Sequence, residues 1–299
     1  MALEPEPELV PPGRLNLALT TAIVLGLMTL QWGASRAATG WGVAACGVAF
    51  GFLFLPLYSL LHDAEHRVFH RDWRVNDGAG VVLAALFPGP FTFLRACHLG
   101  HHRRNRSDSE RFELCYPDEA LWRRRLEFYF LYLGGFWLLV PLSTVLLLVW
   151  PGAMKSSLVQ DAPEAAAMVN GVPVSFVRRI RLEGLGTLAL HVALILGLQL
   201  DPLRYALLYG LAGLSWSSQQ YITHAGSPRD ALDGAHNLRA ARWYEVLLLN
   251  FNWHLAHHQH PKLSWYYLPR FDDRRRERPG YLTSFVKFWV GPKRVPRPS

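Results

Sequence analysis

Five stretches of this chain contain no Asp, Glu, Lys or Arg: residues 15–35, 37–61, 128–154, 184–200 and 205–228. A helix needs about 20 mostly apolar residues to cross a bilayer core of ~30 Å. Within hydrocarbon, only helices and closed barrels satisfy their own backbone. One such run could be the buried helix of a soluble protein, but several in one chain cannot be housed that way. The sequence therefore predicts an all-α integral membrane protein. The formal net charge of +8 is no sign of a nucleic-acid partner, because the basic residues sit beside the apolar runs. They are Arg103, Arg104 and Arg106, then Arg123 to Arg125, then Arg178, Arg179 and Arg181, then Arg274 to Arg276. Arginines so placed mark the cytoplasmic side and contact lipid headgroups.

Three clusters of histidine follow apolar stretches. They read His62-Asp-Ala-Glu-His66, His98-Leu-Gly-His-His102 and His254-Leu-Ala-His-His258. If each is helical, residues three and four apart share a face. His98, His101 and His102 then point into one space, as do His254, His257 and His258, and His62 pairs with His66. Neutral imidazole is a good ligand for iron, zinc, copper or nickel. Eight imidazoles exceed one metal's ordinary coordination, so the arithmetic asks for two metals. Solvated histidines on an interfacial helix would not explain the repeated spacing.

The boxes set the topology. Residues 15–35 and 40–61 form a hairpin that delivers His62 to the cytoplasmic face. Residues 78–94, broken by Pro88-Gly-Pro90, are too short to span and predict a re-entrant element able to wall a substrate tunnel. Residues 184–200 and 203–222, turning at Asp201-Pro202, predict a second hairpin. Residues 126–180 must then cross an even number of times, which favours a bent, incompletely crossing element at 128–150 (Gly134, Gly135, Pro141). The expected architecture is two transmembrane hairpins, about four spans, with re-entrant or interfacial helices and a cytosolic histidine-rich di-metal cap. Residues 1–14 read as a flexible tail, 15–272 as the membrane domain and 273–299 as a basic C-terminal tail on the membrane surface.

Of the remaining histidines, His224 ends an apolar run on the face of the boxes and is a candidate ninth ligand. His191 sits mid-span and reads as a hydrogen-bonded bundle residue. His70, His236 and His260 read as flanking groups. Asp63, Glu65, Asp77 and Asp108 are candidates to orient imidazoles through their second nitrogen, as metal-bound histidines usually require. Cys46, Cys97 and Cys115 suggest neither a zinc pair nor a disulfide framework.

The boxes, His224 and the tail His258-Gln-His-Pro-Lys-Leu-Ser-Trp-Tyr-Tyr-Leu-Pro269 resemble the membrane fatty acid desaturase superfamily, which includes carotenoid ketolases and hydroxylases. The resemblance covers about residues 40–272. It implies two non-haem iron ions bound by His62, His66, His98, His101, His102, His224, His254, His257 and His258. It also implies a reaction using O2 and two electrons to desaturate a lipid acyl chain. Hydroxylation or ketolation of a carotenoid, sterol-like or alkyl lipid is the alternative outcome on the same site. No His-Pro-Gly-Gly haem signature is present, so electrons are expected from a separate ferredoxin-like or cytochrome-like donor docking on the basic face. A histidine conduit for metal transport fits less well. Transport sites cluster near the midplane, whereas these boxes sit at membrane edges and the apolar runs hold no carboxylate.

Overall fold

The structure is a computed structural model that describes residues 9–272 and 276–297. Most of residues 1–14, and Arg274 and Arg275 of the last basic cluster, lie outside the described residues. The first hairpin pairs α1 (Gly13–Arg36) with α2 (Gly40–Glu65). Thr39 caps α2, its hydroxyl accepting from Gly42 N at 3.2 Å. A long outer face of α1 stays exposed, including Leu17, Leu25 and Trp32. That face suits lipid, not water.

From the end of α2 the chain descends again through α3 (Trp73–Leu86) and returns as α4 (Phe91–Arg104), the two bent by 96° at the Pro-Gly-Pro break. At the tip the Phe87 ring stacks 5.2 Å from Phe54 of α2, so the break between α3 and α4 packs inside the helix bundle. Box two occupies the last turn of α4. A short strand β1 (Leu114–Cys115) and α5 (Leu121–Phe130) follow, then a π-type turn at Leu131–Gly135 and α6 (Phe136–Val149). Gly134 carries φ +111°, which a side chain would resist, where the turn packs on Leu214 of the later bundle.

Short helices α7 (Ser157–Gln160) and α8 (Pro163–Val169) lead to the second hairpin, α9 (Val177–Gly197) and α10 (Pro202–Ser217). Asp201 caps α10, accepting from Leu203 N and Arg204 N at 2.9 and 3.0 Å, with Pro202 in the first helical position. Arg204 donates to the carbonyls of Ala34 and Ala37 at 2.9 Å, and Arg36 to that of Leu198 at 3.3 Å. Both hairpin turns therefore sit at one end of the bundle, and the histidines gather at the other.

Four helical segments are long and apolar enough to cross a membrane: Gly13–Arg36, Gly40–Glu65, Leu121–Val149 and Val174–Gly197. The third does not run the length of the bundle. Its Trp137 N–H donates to Ser217 Oγ at 3.0 Å and the Trp137 ring covers Gly213, while the far end of the segment meets Gly184 through Leu148. At 1.5 Å per residue, Gly213 and Gly184 lie about 17 and about 21 Å from the α9–α10 turn, nearly the same depth. The bend at Gly134 thus yields a segment that lies across α9 and α10. α10, with only 16 residues, covers the distance with help from the turns at 218–222.

Beyond the bundle, α11 (Arg242–Leu247) precedes α12 (His254–Gln259), which carries box three. The C-terminal segment is not a loose tail among the described residues. Phe288 of α13 (Tyr281–Phe288) packs with Phe128, Tyr132 and Tyr221, and β2 (Lys293–Arg294) pairs in parallel with β1. Aromatic burial holds it against α5 and the turns that follow α10.

Candidate metal centre

Box one is the final turn of α2, with His66 as its C-cap; box two is the final turn of α4; box three is α12 itself. The N-terminus of α4 lacks a cap of its own. Glu183 of α9 supplies one, accepting from Thr92 N at 2.7 Å and from Thr92 Oγ1 at 2.8 Å. A carboxylate at a helix N-terminus is favourable to orphan N–H groups and dipole alike. It ties the depth of box two to the second hairpin.

The histidines form two groups. His62, His66, His98, His102 and His257 place one ligand atom each within 4.8 Å of one another, and so do His101, His224, His254 and His258. All nine residues singled out in the sequence are brought together. The expectation that each HxxHH box points into a single space needs correction, because each box is split. At about 100° per residue, i and i+4 stand about 40° apart on a helix while i+3 swings to the other side. His98 and His102 therefore join the box-one pair, and His101 crosses over. His254 and His258 stay together, and His257 crosses back.

These groups fit metal ions by their own chemistry. The Nε2 atoms of His66 and His98 lie 2.7 Å apart, those of His98 and His102 3.2 Å, and those of His102 and His257 2.9 Å. In the second group, Nε2 of His254 and His224 lie 3.0 Å apart. A neutral imidazole has one donor and one acceptor nitrogen, so convergent Nε2 atoms cannot all satisfy one another. The Nε2 atoms of His62 and His258 are buried with no partner at all. A cation taking lone pairs from every Nε2 would remove the conflict. Burial, followed by the neighbouring imidazoles, holds His224, His254, His257 and His258 well below the usual histidine range. They are neutral, as metal ligation requires.

The orienting groups differ from those expected. Asp63 turns away from the imidazoles and accepts from Ser264 Oγ at 2.7 Å and Trp265 N at 3.1 Å, anchoring the segment after box three to α2. Asp77 pairs with Arg95 at 3.4 Å and accepts from Asn76. Asp108 binds Tyr116 at 2.6 Å and Arg229 at 2.7 Å on the surface. Glu65 faces His98 Nδ1 at 4.0 Å, beyond hydrogen-bond length. The carboxylate that does hold an imidazole is Glu110, 2.5 Å from His101 Nδ1, with Arg104 at 3.1 Å on its other oxygen. It lies two residues beyond Asp108, and nothing in linear spacing distinguishes the two. His224 Nδ1 donates to Gly234 O at 2.8 Å, which turns its Nε2 toward the centre.

The other histidines stay outside both groups. His191 bonds Tyr205 Oη at 2.5 Å and Ala85 O at 2.9 Å inside the bundle. His70 accepts from Asp72 N, and His260 packs on Phe271. The Cys97 thiol reaches the Met168 carbonyl at 3.8 Å, so it packs against α8. The three cysteines are free.

The fold and site define an all-α membrane protein with two histidine groups able to hold metal ions. The sequence profile of the fatty acid desaturase family matches residues 39–289, and the chain belongs to that family. No curated protein matches it.

Proposed function

We propose that this protein is a membrane-bound non-haem di-iron oxidoreductase that desaturates a lipid acyl chain, with His62, His66, His98, His102 and His257 holding one iron and His101, His224, His254 and His258 the other. The observation that carries this reading is the division of nine convergent imidazoles into unequal groups of five and four. An all-nitrogen site suits iron, and the smaller set leaves more positions open. Bound iron would supply O2 activation; the balance is one CH2–CH2 unit, O2, two electrons and two protons giving one CH=CH unit and two waters.

The chain's own residues do the rest. The Glu110 carboxylate and the Gly234 carbonyl fix ring orientation at His101 and His224. Phe251, with ring centroids 5.1 Å from His62 and 4.8 Å from His254, forms an apolar surface against which a hydrocarbon chain can lie beside both groups. The electrons come from a separate ferredoxin-like or cytochrome-like protein. The exposed Arg67, Arg103, Lys262 and Arg270, which flank the three boxes, suit an acidic carrier. Clustered arginines at the ends of α4 and α9 support a cytoplasmic location for the boxes.

The test is a lipid comparison with and without the gene expressed. Products lighter by two hydrogens are expected. Products heavier by one oxygen would transfer the reading to hydroxylation, and no change in any lipid would remove it.

A further inference from the structure

A cavity between α2, α10 and α11 is lined by Leu55, Tyr58, Trp216, Thr223, Phe251 and Asn252, among others. It shares Ser59 and Phe251 with a smaller cavity walled by His62, His254 and His257. A chain threading past Phe251 would therefore reach both histidine groups. For a plain hydrocarbon, this wall needs only apolar atoms.

The wall is not plain. Trp216 Nε1, Thr223 Oγ1 and Asn252 Oδ1 are buried with no partner in the protein, in residues only 4%, 3% and 1% exposed. Each such orphan is destabilising, and native structures keep few of them. Gln219 and Ser59 of the same wall are already engaged. Gln219 Oε1 accepts from Tyr244 and Tyr281, and Ser59 Oγ donates to Leu248 O at 2.8 Å. Asn252 Nδ2 donates to Leu238 O and to Glu245, which fixes its oxygen as the free end. The fully buried atoms of this wall left without a partner are an indole N–H that only donates, a hydroxyl, and an amide oxygen that only accepts. A hydroxyl accepts two hydrogen bonds and donates one, which is the complement of that set. A ketone would leave Asn252 Oδ1 unpaired, and a methylene would leave all three.

We propose that the substrate is a long-chain lipid bearing a hydroxyl group, which Trp216, Thr223 and Asn252 bind in this cavity while the hydrocarbon continues past Phe251. The placement of the hydrocarbon rests on the oxidoreductase reading; the hydroxyl site rests on the three orphaned atoms. A resident water has the same bonding capacity, so the experiment must separate the two.

Equilibrium binding of octadecane and of octadecanols hydroxylated at successive positions is measured on the metal-loaded, detergent-solubilised protein. At least one octadecanol is expected to bind about tenfold more tightly than octadecane. Thr223→Val and Trp216→Phe should each shrink that preference severalfold, and an unchanged thermal unfolding midpoint reports that the variants fold. Equal binding of octadecane and all the octadecanols, as a resident water predicts, overturns the proposal. So does a preference that survives the double variant. Turnover of the same probes is scored separately. A hydroxyl preference without any oxidised product keeps this site and sinks the oxidoreductase reading; oxidation of every probe without preference does the reverse.

Discussion

His224 and Glu110 carry the finest division of labour in the centre. His224 reaches its group because Gly234 O holds the far side of the ring, and Glu110 does the same for His101. Losing an outer partner of a metal-bound histidine typically costs about 10- to 100-fold in metal affinity or activity. Glu110→Gln should fall in that range, with the loss confined to the four-histidine group. His224→Gln should cost at least as much. Metal titration monitored by absorption would show one weakened and one intact site; two intact sites in His224→Gln would return it to the role of a helix-end residue. His101→Ala and His257→Ala should each empty a different group, whereas His70→Ala and His260→Ala should retain both metals.

At the scale of elements, the boxes work because each sits at a helix end that something else fixes. α4 is held by Glu183 from the second hairpin, and α12 by the Asp63 bonds to the segment that follows it. Removing the Glu183 cap with Glu183→Ala should cost ~1 kcal/mol of stability and loosen His98, His101 and His102 together. Thermal unfolding of the metal-loaded protein would register it, and an unchanged midpoint would count against the cap. The sequence made the helices and their histidine faces legible, since apolar runs and i, i+4 spacing are local signals. The crossover of His101 and His257 was also latent in the 100° step. Glu110 was not legible, because whether it or Asp108 meets a ring depends on how residues 105–110 fold back over α4. Nor was the fate of Asp63, adjacent to a box histidine yet committed to Ser264 and Trp265, about 200 residues away in sequence.

For the whole molecule, two hairpins joined at one end leave the opposite end to gather every box. The bent Leu121–Val149 segment packs on α9 and α10 at the side of the bundle. The break expected within residues 78–94 is the 96° bend between α3 and α4, though the cavities beside the histidines are lined by α2, α10 and the segments around Phe251 and not by this pair. Cysteine labelling near Arg178 and near Val295 should succeed only from the cytoplasmic side; labelling of either from outside would contradict the topology. Stability should also depend on pH in a definite direction. His224, His254, His257 and His258 have folded-state values depressed from 6.5. Below 6.5 the unfolded chain takes up protons that the folded chain refuses, so stability is fully present above 6.5 and is lost as pH falls beneath it. Denaturant unfolding of the metal-free protein between pH 8 and pH 5 should show a falling midpoint, about 1.4 kcal/mol per pH unit for each such histidine at most.

The central claim is that nine histidines build two unequal iron centres, and metal analysis tests it most directly. Mössbauer spectroscopy on protein expressed with isotopically enriched iron, combined with elemental analysis, should find about two irons per chain in two distinct nitrogen-rich environments of equal population. One iron per chain, or stoichiometric zinc with no iron, would contradict it.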